Sequence, residues 1–187
     1  MSERTLVAIH GNFASARWWT DLINDPPAGW RVVAPDLPGF AGTENNGEVS
    51  IPAYAQWLGR WLTEQHIVRP ALLGHSLGGA MAAQYASKKA GRLDGLLLEA
   101  AYPARNVPLQ RTNLKVLSLL SQNDGLASPA DVRDGLKRLP PGAKLVEVPG
   151  AVHSFFGRYG PQKGDGLPGV SRAEAEVVVL QSVRAFL

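Results

Sequence analysis

The chain contains no cysteine, which removes disulfides, thiolate metal sites and cysteine nucleophiles together. Histidine is scarce. His10, His66, His75 and His153 are scattered and lack a metal-ligand spacing such as H-E-x-x-H, so neither a metal nor another cofactor is expected. Charge of one sign is not concentrated either. The formal net charge is +3, the positive residues are dispersed, and Lys88-Lys89 reads as a solvated helix end, too little to recruit nucleic acid. No apolar run approaches the roughly 18 residues of a membrane span. Met1-Ser2-Glu3-Arg4 leads directly into an apolar strand and leaves no space for a signal peptide. A cytoplasmic protein that meets a small molecule, away from membranes and nucleic acid, is the expectation; the oligomeric state stays open.

What is present is a series of apolar runs separated by turn residues. With 187 residues, 45% of them hydrophobic, the chain can bury a substantial core, and residues 1–187 are expected to form a single domain. Continuous apolar runs at 5–9, 31–35, 69–73, 93–99, 114–121 and 144–148 predict strands buried on both faces. A helix is expected over 14–24, with Trp18, Trp19, Leu22 and Ile23 facing inward. Ser50 reads as an N-cap with Pro52 in the first turn, opening a helix whose Ile51, Tyr54, Trp57, Leu58, Trp61 and Leu62 recur at helical spacing. Ser128 caps another helix to about residue 139, and Ser171 with Glu174 makes a capping box for the last. Residues 41–47 and 149–169 are expected to be loops. The alternation predicts an α/β three-layer sandwich: a mostly parallel sheet of about six strands with helices on both faces. Ligands then belong at the carboxyl ends of the strands.

Gly74-His75-Ser76-Leu77-Gly78-Gly79 stands between one such run and a run of small residues. Strand, sharp turn, helix is the setting in which G-x-S-x-G presents a nucleophilic serine. The tight turn strains the serine backbone, and glycines at 74 and 78 give it room. No phosphate-binding pattern overlaps these glycines, so a mere phosphate turn has little support. A serine hydroxyl needs a base, and the base an orienting acid. His153, after the last strand, is the candidate base. Asp124, in the Gln122-Asn123-Asp124-Gly125 turn after the fifth strand, is preferred as the acid; Glu99, at the end of the fourth, is its rival, and both satisfy the order serine, acid, histidine. Asp36 precedes the serine and is expected to pin its own turn. An oxyanion hole needs two aimed N–H groups: Leu77 supplies one, and Asn12 the other, with Phe13 second. His75 either lines the pocket or packs beneath it, packing being favoured, and Phe155 with Phe156 and the glycine- and proline-rich loop to Gly169 would form one wall.

Taken together, His10-Gly11-Asn12, Asp36-Leu37-Pro38-Gly39, Gly74-His75-Ser76-Leu77-Gly78-Gly79, Asp124 and His153 resemble the α/β-hydrolase superfamily along nearly the whole chain. The resemblance is nearest to small hydrolases without a cap domain, related to dienelactone hydrolases, although serine stands where those carry cysteine. Two initial strands of the family are missing, and residues 100–113 are too short for a helical cap. The His10-Gly11-Asn12 turn also resembles haloalkane dehalogenases, whose aspartate nucleophile Ser76 excludes. The resemblance implies a minimal serine esterase that forms an acyl-enzyme on Ser76, cleaving an ester or, less readily, a thioester, lactone or amide. Acyl transfer through the same intermediate, or a non-catalytic binding protein on the same fold, are the alternatives.

Overall fold

The computed structural model describes residues 3–45 and 47–187. Met1 and Ser2, which bear on the signal-peptide expectation, and Asn46 of the expected 41–47 loop lie outside the described residues. Six strands, β1 (Arg4–Ile9), β2 (Trp30–Val33), β3 (Ala71–His75), β4 (Gly95–Glu99), β5 (Val116–Ser121) and β6 (Lys144–Val148), form one sheet in the order β2-β1-β3-β4-β5-β6. Every pairing is parallel. That accounts for the unbroken apolar runs: all of β3, β4 and β5 is buried, because helices cover both faces of a parallel sheet.

Alternation along β1 divides the core. Leu6 and Ala8 face one layer with Trp19, Leu22, Ala175 and Val183, whereas Val7 and Ile9 face the other with Leu58, Leu62, Met81 and Ala82. The first layer holds α1 (Thr20–Asn24) and α5 (Arg172–Phe186); the second holds α2 (Ile51–Glu64) and α3 (Leu77–Lys89). A shorter α4 (Pro129–Gly135) follows β5. The segment joining β4 to β5 contains neither helix nor strand.

The caps are those the sequence predicts. The Ser50 hydroxyl accepts from the Ala53 N–H, Ser128 from Asp131, and Ser171 and Glu174 close the full capping box. The expected helix over 14–24 is broken into a 3-10 turn, Ala16–Trp19, and the short α1. Ile23, expected inside, is exposed, because the change of helix type rotates its face away from the core that Trp19 and Leu22 reach.

Candidate active site

Ser76 sits between β3 and α3 with φ 52° and ψ −117°, a conformation costly for any residue with a Cβ. Packing holds it there. A Cβ on Gly74 would lie 2.5 Å from the Gly78 carbonyl oxygen, one on Gly78 would strike the Ile9 carbonyl, and one on Gly79 would strike Ala101. The glycines thus let α3 press onto β1 and β3. The Ser76 N–H donates to the Glu99 carbonyl at 3.0 Å, and the Ala80 N–H donates back to the Ser76 carbonyl at 3.0 Å. Leu77 opens α3, so its N–H has no carbonyl behind it to donate to.

The turn after β1 lies against the serine: a Cβ on Gly11 would come 3.1 Å from Ser76 Cβ. His10 shapes this turn as a fixed neutral ring. Its Nε2 accepts from the Leu37 N–H at 3.0 Å, which leaves Nδ1 to donate to the Gly11 carbonyl at 2.8 Å. Burial lowers its pKa and keeps it neutral. Asp36 pins not its own turn but the segment after β1, accepting from the Ala16 N–H at 2.7 Å. Asn12 and Phe13 project outward, Phe13 being 86% exposed with φ 59°, and neither N–H meets a backbone acceptor.

On the other side of Ser76, the structure brings Asp124 and His153 together. Asp124 Oδ2 lies 2.8 Å from His153 Nδ1 with both side chains buried. Asp124 Oδ1 accepts from the Leu126 and Ala127 N–H groups at 2.8 and 2.7 Å, so both carboxylate oxygens are engaged. With Nδ1 committed, Nε2 is the His153 nitrogen free to exchange a proton. The Ser76 hydroxyl and Nε2 are not hydrogen-bonded to each other. Glu99 forms neither a hydrogen bond nor an ion pair with His153. Its Oε2 is buried without a partner, and burial pushes its carboxyl up to about 8. At neutral pH it is uncharged and cannot stabilise an imidazolium.

Phe156, expected in a pocket wall, is buried instead, and His75 is buried, in the packing role favoured over pocket lining. His75 has both ring nitrogens unpartnered and lies among Trp18, His153, Phe156 and Tyr159, with ring centroids 5.6, 4.8, 6.0 and 6.1 Å away. It packs beside His153, and burial holds its pKa well below the usual value. Phe155, partly buried, packs under the Arg172 guanidinium at 4.9 Å.

Within and beside the loop ending at Gly169, Asp165 and Arg172 take roles that the sequence reading did not assign. Asp165 Oδ1 accepts from the N–H groups of His153 (3.0 Å), Gly166 (2.8 Å) and Gly125 (3.4 Å), and Oδ2 accepts from Ser154 (3.0 Å). One carboxylate therefore ties the turn bearing Asp124 to the turn bearing His153. Arg172 secures the same region, donating to the carbonyls of Ser154, Gly157 and Tyr159, while Tyr159 stacks on Trp18 at 4.2 Å. The signal available in the sequence was Gly164-Asp165-Gly166: any Cβ at Gly166 would overlap the Asn123 carbonyl oxygen. Among the described residues no group of three or more His, Asp or Glu could hold a metal ion.

The arrangement can be set beside known proteins. The residue pattern described as "Alpha/beta hydrolase family" matches residues 60–176, and that described as "alpha/beta hydrolase fold" matches residues 4–114. A 2-succinyl-6-hydroxy-2,4-cyclohexadiene-1-carboxylate synthase from Pectobacterium atrosepticum is 35% identical over 113 residues, 57% of this chain and 42% of that protein. A pimeloyl-[acyl-carrier protein] methyl ester esterase from Aeromonas hydrophila is 37% identical over 101 residues, 52% of this chain and 38% of that protein. The chain thus spans less than half the length of these relatives. Among solved structures, a CIB-like hydrolase from Thermoplasma acidophilum superposes with a TM-score of 0.78 at 20% identity, covering 99% of this chain and 87% of that one. A marine microorganism esterase does so with 0.78 at 16% identity, covering 100% and 96%.

Proposed function

Because the chain belongs to the α/β-hydrolase family, we propose that it is a serine hydrolase that cleaves a carboxylic ester through an acyl-enzyme on Ser76. The observation that carries this reading is the backbone strain stored at Ser76 on the same sheet edge as a buried Asp124–His153 pair at 2.8 Å. In the mechanism, Ser76 Oγ attacks the carbonyl carbon while His153 Nε2 takes the hydroxyl proton. Asp124 holds the ring by Nδ1 and stabilises the imidazolium. The tetrahedral oxyanion receives N–H groups from Leu77 and from Asn12 or Phe13, one at a helix N-terminus and one in the turn against Ser76. His153 then returns the proton to the departing alkoxide. Water, deprotonated by the same nitrogen, releases the acid. With no helix between β4 and β5 to roof the site, the mouth is open, and small or medium acyl groups are the expected substrates.

A second reading keeps the same site and the same acyl-enzyme on Ser76. In that reading the acyl-enzyme passes to an alcohol or amine, and product analysis with added nucleophile separates it from hydrolysis. The first test is labelling with a fluorophosphonate. The wild type should label at Ser76, Ser76→Ala and His153→Ala should not, and Ser76→Ala should lose at least roughly 10³-fold in ester turnover. A folded wild type that does not label would return the fold to the role of a binding protein.

A further inference from the structure

A second concavity lies away from Ser76, in a groove of about 860 Å³ bounded by α2, α3 and residues 65–70. Its size is that of a small-molecule site. The apolar lining comes from Ala55, Leu62, Ile67 and Val68, the last 83% exposed. The charged lining is one-sided. Arg60, Lys88, Lys89 and Arg92 all border the groove, and none forms an ion pair among the described residues. Arg69 is tied to Asp94 at 3.1 Å, and Glu64 is the one carboxylate in the lining.

The plainest account of Lys88 and Lys89 is that cations suit the last turn of a helix. It does not cover Arg60, which lies within α2, or Arg92, beyond α3, or the apolar side chains between them. Lys88 and Lys89 are also a whole helix away from Ser76: α3 has 13 residues, roughly 20 Å at 1.5 Å per residue. A molecule bound among them does not reach the serine.

We propose that this groove binds a single-chain anionic amphiphile, a medium-chain fatty carboxylate, with its chain along Ala55, Leu62 and Ile67 and its carboxylate among Arg60, Lys88 and Arg92. Charge complementarity selects the head, and the apolar wall selects the tail. The proposal is independent of the serine chemistry, and its test is made in the Ser76→Ala variant so that turnover plays no part.

Binding of dodecanoate below its micellar concentration would be followed by calorimetry. Ser76→Ala should bind it, and adding Lys88→Glu and Arg92→Glu should weaken binding at least tenfold. Arg60→Glu alone, on a different helix, should weaken it in the same direction. These side chains are exposed, and circular dichroism checks that each variant is folded. Absence of dodecanoate binding, affinity unchanged by charge reversal, or equal affinity for uncharged 1-decanol would each overturn the proposal.

Discussion

Asp165 shows how one side chain can govern two others. Its carboxylate accepts four backbone N–H groups, one from its neighbour Gly166 and three from the turns bearing Asp124 and His153. Burial alone would raise its pKa, but the donors at Ser154, His153, Gly166 and Gly125 outweigh burial and hold it below the ordinary value. Asp165→Asn keeps one acceptor oxygen and loses the charge. We expect it to lower kcat by roughly 10²-fold with KM little changed, the scale of a misplaced catalytic group, while Ser76 still labels, though slowly. The pH dependence has a defined sign. A depressed folded pKa means that the contribution is present above the unfolded value of 3.8 and is lost as pH falls through the folded one. Urea unfolding between pH 5 and pH 2 should therefore fall less steeply in Asp165→Asn than in the wild type. The flanking glycines 164 and 166 marked a tight turn in the sequence, but the role of Asp165 was not legible, because three of its partners are backbone groups 11, 12 and 40 positions away, which no side-chain pattern records.

At the scale of elements, much was legible. Caps rest on residues three apart and were read directly at Ser50, Ser128 and Ser171. Strand ends were read less well, since a partner decides them rather than hydrophobicity. Leu93 and Leu114 are buried yet belong to connections, whereas Gly74 and His75 continue β3 because they pair with Leu98 and Glu99. The small residues opening α3 let it lie close on the sheet, and their consequence is measurable. Gly79→Ala forces a methyl group against Ala101 and toward the Gly74 carbonyl, 2.8 Å away. Because the obstacle includes backbone, the helix must shift; we expect a loss of about 1–3 kcal/mol, seen as a lower urea midpoint at unchanged m-value. Phe156 marks the limit of such reading. The sequence put it in a pocket wall, but it packs inward near His75, with ring centroids 6.0 Å apart, a contact between residues far apart in the chain.

For the whole molecule, the uncharged Glu99 makes stability depend on pH. Its folded value of about 8 stands above the model-compound 4.5, so the folded state holds a proton that the unfolded chain releases, and stability declines as pH rises from about 4.5 to about 8. Glu99→Gln should remove that slope. Its advantage over the wild type should grow across this interval toward an upper bound of about 5 kcal/mol, read as a widening difference in Tm; a parallel pair of curves would contradict it. The sheet order has another consequence, in time. Among the described residues, β2 pairs on one side of β1, and β3 to β6 add on the other side in chain order. The sheet can thus grow in one direction as the chain emerges, with Ser76 framed by β1, β3 and β4 while residues 149–170 are still to come. Ser76 precedes Asp124 and His153 in the chain, so a nascent chain that has reached α3 holds the strained serine before the proposed acid and base have been made.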